Sequence, residues 1–320
     1  MSVLLPAGLP AGFTLEPATG AHAAEVHEVV AAQRIAALGF CSESLADVRA
    51  DLESTAAESF EHVVRDADGV VVQWWATLSY PGDPVFHAWI ASHPRLAADV
   101  HDELSAAGWR SLLGWIREQA PEGDGTIEVR SGCEAGSDAA HRPLRAAGFS
   151  HRRTFWEMLG PVTDEARIAP IVPGLSITVT DDTRTVHAVF EKGFEDHWGY
   201  VPIAYDDWLP VEKTLAGYDP DLWVLAEIDG EPAAAMVMSR RLEADGELYV
   251  QELATLSEYR RRGIASVLLA HAFDVAAREG LDKVSLHVDS ENTHDAPSVY
   301  RRAGLDVRGA FNAHVLDLPR

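Results

Sequence analysis

The chain resembles itself, and that repetition constrains its fold more than any single motif does. Leu144-Arg145-Ala146-Ala147-Gly148-Phe149 is echoed by Tyr300-Arg301-Arg302-Ala303-Gly304-Leu305. Gly108-Trp109-Arg110-Ser111-Leu112-Leu113 is echoed by Gly263-Ile264-Ala265-Ser266-Val267-Leu268. The separations nearly agree, with 40 residues from Gly108 to Gly148 and 41 from Gly263 to Gly304. Further upstream, the stretches from His62 to Val72 and from Trp223 to Ala233 both read as two strands around an Asp-Gly turn, a dipeptide that tolerates the positive φ of a tight hairpin. Recurrence of the same elements in the same order predicts a tandem duplication. The Pro- and Gly-bearing stretch between Gly160 and Gly174 marks the junction, giving segments 1–160 and 175–320 with a linker at 161–174.

A chain of 320 residues suits two domains, each large enough to bury a core. In the second segment the pattern predicts a strand at Ser176–Val179, helices at Thr183–Phe194 and Asp206–Thr214, the hairpin, and a strand at Leu248–Thr255. A helix follows over Gly263–Glu279, stopped by Gly280, then a strand at Lys283–Val288, a helix at Asp295–Ala303 and a last strand ending near Leu316. Helices interleaved with strands imply α/β architecture, here two tandem mixed sheets flanked by helices.

The formal charge of −24 repels phosphate backbones and anionic headgroups, so nucleic acid and membrane surfaces are not expected partners. A small amine is the expected one, for a monomer or homodimer. Cys41 and Cys133 stand in no metal-binding or disulfide spacing, so no metal is expected. Met1 to Leu15 lacks the pattern of a signal peptide and no run is long and apolar enough to span a bilayer, which makes the cytoplasm the expected location.

Leu253 to Ser266 reads as strand, polar turn and helix start, with Arg260, Arg261 and Arg262 preceding Gly263, Ile264 and Ala265. A helix start presents unpaired N–H groups and partial positive charge, and small residues let that backbone approach a pyrophosphate closely. The turn is neither the phosphate loop of nucleotide phosphatases nor the glycine fingerprint of dinucleotide folds.

Arg260-Arg261-Arg262-Gly263-Ile264-Ala265 resembles the coenzyme A motif of the GNAT superfamily of N-acetyltransferases. A second motif of that family, from a strand through Asn to Ala-x-x-x-Tyr-x-x-x-Gly, is matched by Leu286 to Asn292, Ala296, Tyr300 and Gly304. The resemblance covers roughly Leu175 to Pro319. It implies direct attack of a neutral amine on the thioester of acetyl-CoA, with Tyr300 as the acid for the departing thiolate. The base is left open among Glu252, His287 and Glu247. Leu253, Ala254 and Thr255 are expected to face the pantetheine arm, Arg260 through Ser266 the pyrophosphate, and Asn292 and Tyr300 the rest of the cofactor cleft. Glu195, Asp196, His197 and Trp198 are candidates for gripping an ammonium-bearing acceptor.

The first segment departs from the motif at Ser105, Arg110 and Leu144, which stand opposite Arg260, Ala265 and Tyr300. A degenerate partner domain is expected, as in tandem members such as the mycothiol synthases. The leading expectation is an acetyl-CoA-dependent N-acetyltransferase for a small amine. A non-catalytic acyl-CoA sensor or scaffold, a mycothiol-synthase-like enzyme and a protein acetyltransferase are the alternatives.

Overall fold

The echo in the sequence is an echo of elements. A computed structural model describes residues 8–54, 58–79, 85–120, 125–163, 167–292 and 294–319. It divides into two units, Met1–Thr154 with Ala310–Arg320, and Phe155–Gly309. Along the first run β1 (Thr14–Pro17), α1 (Ala23–Leu38), α2 (Leu45–Glu53), β2 (Glu58–Arg65), β3 (Val71–Ser79), β4 (Val85–Ser92), α3 (Ala98–Gln119), β5 (Thr126–Glu134), α4 (Asp138–Ala146) and β6 (Ser150–Pro161) succeed one another. The same succession returns as β7 (Leu175–Val179), α5 (Thr183–Gly193), α6 (Tyr205–Glu212), β8 (Trp223–Ile228), β9 (Glu231–Ser239), β10 (Glu247–Thr255), α7 (Ile264–Glu279), β11 (Lys283–Asp289), α8 (Ala296–Arg302) and β12 (Asp306–Pro319).

The final strands are exchanged between the repeats. In the first unit the strand order is β1-β2-β3-β4-β5-β12, closed by Phe311 to Pro319 of the last strand against Glu134 to Thr126. In the second it is β6-β11-β10-β9-β8-β7, with Phe155 to Pro161 paired to Asp289 to Lys283. The repeat boundaries at 160 and 175 and the compact units are therefore different divisions of the chain. Each sheet is mixed, and the expected α/β class is the one observed.

The local chemistry follows the sequence closely in the second unit. Asp229 and Gly230 take φ of 52° and 87°, the two positive values that let a two-residue turn follow the strand twist. Gly280 ends α7 in the left-handed conformation, φ 73°. Trp223 and Leu225 of β8 pack with Val186, Phe190 and Trp208, while Val224 and Ala226 pack on the other face with Met236, Leu268 and Phe273. Successive side chains thus enter opposite cores, which is why β8 is a continuous apolar run rather than an alternating one. Among the described residues, no helix is long and apolar enough to cross a membrane.

One irregularity positions the site. The parallel ladder of β10 and β11 runs from Glu247–Lys283 only to Val250–Leu286, although β10 continues to Thr255 and β11 to Asp289. A register shift in the β9–β10 pairing between Val250 and Glu252 coincides with that end. A bulge bends its strand and raises local twist, so the two strands diverge here. The first unit repeats the feature, with β4 and β5 paired from Val85–Glu128 to His87–Arg130 only.

Candidate active site

Divergence of β10 from β11 leaves one edge of Leu253, Ala254 and Thr255 outside the parallel ladder. Their other edge pairs with Met236, Ala235 and Ala234 of β9. An open strand edge is an amide-reading surface, able to pair with the amides of an extended ligand. At the head of the same strand Gly263 takes φ 91° as the N-cap of α7, and Val267 N–H, 3.1 Å from the Gly263 carbonyl, makes the first intrahelical bond. The amides of Ile264, Ala265 and Ser266 lie in the first turn, where a helix has no internal acceptors for them. A Cβ at Gly263 would stand 2.6 Å from Pro170 Cγ, so space and backbone both require glycine.

The three arginines of this turn differ in what they do. Arg260 is a staple rather than a free charge: its Nε donates to the Thr255 carbonyl at 3.1 Å and its Nη2 to the Gly193 carbonyl at 3.0 Å. Its Nη1 lies 2.9 Å from His294 Nε2 and 3.8 Å from Asp196 Oδ2. Arg261 and Arg262 are exposed, and Arg261 adopts φ 63°. Asn292 Oδ1 accepts from the His294 and Ala296 amides at 3.0 and 3.4 Å, so its side chain caps the loop into α8.

Tyr300 is buried on α8 within the core shared with α7 and β11, and burial pushes its phenol up to about 12. It therefore stays protonated across the neutral range. Glu252 lies on the diverging part of β10, and its Oε2 is shielded from solvent without a hydrogen-bond partner. Burial, then the nearby charges of Glu212 and Glu191, holds its carboxyl well above the ordinary range. Glu212 of α6, itself raised by burial, accepts from Gln251 Nε2 at 2.8 Å. Sequence reasoning missed both of these neighbours, because neither belongs to a motif and only the packing of α5 and α6 on the sheet brings them to β10.

The other two base candidates are engaged elsewhere. Glu247 Oε1 and Oε2 each accept from the Arg308 guanidinium at 2.9 Å, and Oε1 also accepts from Ser285 Oγ. His287 Nδ1 lies 2.9 Å from the Tyr249 hydroxyl and Nε2 lies 3.6 Å from Glu157 Oε2. Glu157 is almost fully buried; burial works against its charge, but His287 and Arg308 outweigh it and bring the carboxyl down to about 2. These groups form one ionic network across β6, β11, β10 and β12.

In the 195–198 segment, Glu195 pairs with Lys192 Nζ at 2.6 Å and Asp196 faces Arg260. His197 packs tilted against Phe194 with centroids 4.8 Å apart, and burial, then His294 and Arg260, lowers its pKa. Trp198 packs on Phe155 with centroids 6.3 Å apart. Only Asp196 and His197 stand beside the Arg260 staple.

In the first unit the helix opposite α7 begins at Ala98, placing Ser105 and Gly108 in its buried interior. A Cβ at Gly108 would come within 2.8 Å of the Trp75 ring, and Ser105 Oγ accepts from Gln73 Nε2 at 3.0 Å. Gly108 thus serves helix–sheet contact, where Gly263 opens a helix. Leu144 is core. A cavity of about 310 Å³ remains where β4 and β5 diverge, lined in part by Ile90, Ser92, Trp109, Cys133, Ser137 and Leu144.

Residues 184–305 match the model of the acetyltransferase (GNAT) family. A mycothiol acetyltransferase of Beutenbergia cavernae is 27% identical over 80% of the chain and 84% of the relative. A GCN5-related N-acetyltransferase from Sphaerobacter thermophilus is 25% identical, with a TM-score of 0.79 over 98% of both chains. A tandem GNAT protein from the clavulanic acid biosynthesis pathway shares the fold, with a TM-score of 0.69 at 12% identity over 95% of this chain and 98% of that one. The protein is accordingly an acyltransferase. More narrowly, the match to the acetyltransferase (GNAT) family falls in the second half of the chain, over residues 184–305.

Proposed function

We propose that the second unit transfers an acetyl group from acetyl-CoA to the amine of a small molecule, by direct attack within a ternary complex. The observation that carries this reading is the Glu252 carboxyl on the diverging part of β10, whose Oε2 is solvent-shielded without a hydrogen-bond partner, between an open strand edge and the helix start at Gly263. Bound acetyl-CoA would supply an activated thioester; Leu253, Ala254 and Thr255 would align its amides, and the first turn of α7 would hold its phosphates.

An amine arrives protonated and is a nucleophile only once it has lost that proton. Glu252 is suited to take it, because burial and two acidic neighbours raise its proton affinity towards that of its donor. The same three carboxylates, Glu191, Glu212 and Glu252, favour a cationic acceptor over an anionic one. Tyr300 then donates its phenolic proton to the departing sulfur. The relative named mycothiol acetyltransferase supports an amine of that metabolic type as one acceptor to test.

Turnover of acetyl-CoA against a panel of amines, read as thiol release, tests the reading. Tyr300→Phe should lower kcat about tenfold or more with little change in KM for acetyl-CoA. An unchanged kcat would remove Tyr300 from the chemistry. The Glu212 charge also yields a pH prediction. Activity needs ionised Glu252, so kcat/KM should rise with pH along a limb displaced upwards from ordinary carboxylates. Glu212→Gln removes one of the raising charges and should move that limb to lower pH. A limb that stays in place would show that Glu252 does not set it.

A further inference from the structure

The first unit holds a cluster that acyl transfer leaves unused. Cys133 on β5, His141 on α4 and His314 on β12 each present one ligand atom, all within 4.8 Å of one another. Asn312 is the cross-strand partner of Cys133, so His314, two residues on, projects from the same face of the sheet. Cys133 and His314 are 6% and 3% exposed.

Counting hydrogen-bond donors leaves this cluster one donor or cation short. His314 Nδ1 lies 3.1 Å from the Asn312 carbonyl, which can only accept, so Nδ1 carries the proton and Nε2 a lone pair. His141 Nε2 lies 3.1 Å from the Ala135 carbonyl, so Nε2 carries a proton and, in the neutral ring, Nδ1 is the acceptor. The Asn312 amide nitrogen, 3.4 Å from that Nε2, is the longer contact. Two lone pairs, on His141 Nδ1 and His314 Nε2, therefore face each other at 3.3 Å. Cys133 Sγ lies 3.4 Å from His141 Nδ1, and its single proton can satisfy only one of the two nitrogens.

We propose that Cys133, His141 and His314 bind a divalent cation of the zinc class, which pins the last strand of the chain to β5 and α4. Ligands of a tetrahedral zinc lie about 3.3 Å apart for two imidazoles and about 3.5 Å for a thiolate and an imidazole, which follows from bond lengths of about 2.0 and 2.3 Å. The observed 3.3 and 3.4 Å match those two edges. Two imidazoles and a thiolate suit zinc, whereas magnesium and calcium prefer oxygen ligands. The carbonyls of Asn312 and Ala135 fix the tautomers that binding requires, as outer partners do in established metal sites. Burial, then Glu134, pushes the Cys133 thiol up to about 12, with Arg145 opposing. On binding, the S–H bond breaks, a sulfur–metal bond forms and the proton passes to solvent. A water completes the fourth position.

Cys41 is the only other cysteine, which makes the test direct. The full-length, metal-stripped protein is titrated with cobalt(II), and zinc is then added in competition. The expected result is a thiolate-to-cobalt charge-transfer band saturating at one equivalent, accompanied by proton release, and displaced by zinc. Cys41→Ser should keep the band and Cys133→Ser should lose it. Should Cys133→Ser fail to fold, His314→Gln takes its place, expected to weaken zinc affinity at least tenfold. Absence of the band in folded wild-type protein, or its survival in a folded Cys133→Ser variant, would overturn the site.

Discussion

Glu252→Gln is expected to lower kcat with an amine acceptor by about a hundredfold to ten-thousandfold, the usual range for a positioned general base. Glutamine keeps the shape of the side chain and cannot accept the proton. The companion expectation is unusual for a buried polar site: the variant should be no less stable than wild type, and more stable in alkali. A carboxyl whose folded pKa lies above its unfolded one weakens the fold as pH rises through that interval, since ionisation is easier in the unfolded chain. Removing the group removes that loss. Steady-state kinetics and denaturant unfolding at two pH values check both halves. Loss of activity together with loss of stability would point to a packing role, and unchanged kcat would end the assignment of Glu252 as base.

Arg308→Met should destabilise the second unit by about 3–5 kcal/mol, the largest stability effect expected of any single change here. Arg308 is the cation shared by Glu157 and Glu247, which are 1% and 2% exposed. Removing one member of a buried ionic cluster leaves the others desolvated and unbalanced, which costs far more than the net worth of the cluster. The sign of its pH dependence is also fixed. Glu157, depressed to about 2, contributes stability above the unfolded carboxylate pKa, and that contribution is lost as pH falls through the folded value. The wild type should therefore lose stability on acidification, while Arg308→Met, which keeps only the His287 share of that contribution, should lose less. Chemical unfolding at neutral and mildly acidic pH reads this out. A second variant that also carries Glu157→Gln and Glu247→Gln should recover much of the loss, and equal stability of Arg308→Met and wild type would show that the network is immaterial.

Much of this was legible in the sequence, for reasons of range. The Asp229-Gly230 turn, the stop of α7 at Gly280 and the helix start at Gly263 are set by a few adjacent residues, and local geometry followed. What escaped were relations between distant residues. Glu212 approaches Glu252 through the packing of α6, and Arg308 meets Glu157 across 151 positions. Gly108 and Gly263 look alike as letters, yet one lies inside a helix and the other opens one, because the helix of the first unit begins ten residues earlier at Ala98. The spacing of Cys41 and Cys133 predicts no metal ligands, since His314 reaches Cys133 only through the exchanged strand.

That exchanged strand has a consequence for how the protein is made. Residues 310–319 are synthesised long after β5, so β5 waits with its edge bare while more than 170 residues between Glu134 and Ala310 are made. A bare strand edge is a template for pairing with other chains, and the exposure lasts longest here because the two partners lie at such different positions in the message. Nascent chains stalled before codon 310 should therefore be the aggregation-prone species, and a fragment cut at the repeat junction inherits the same open edge.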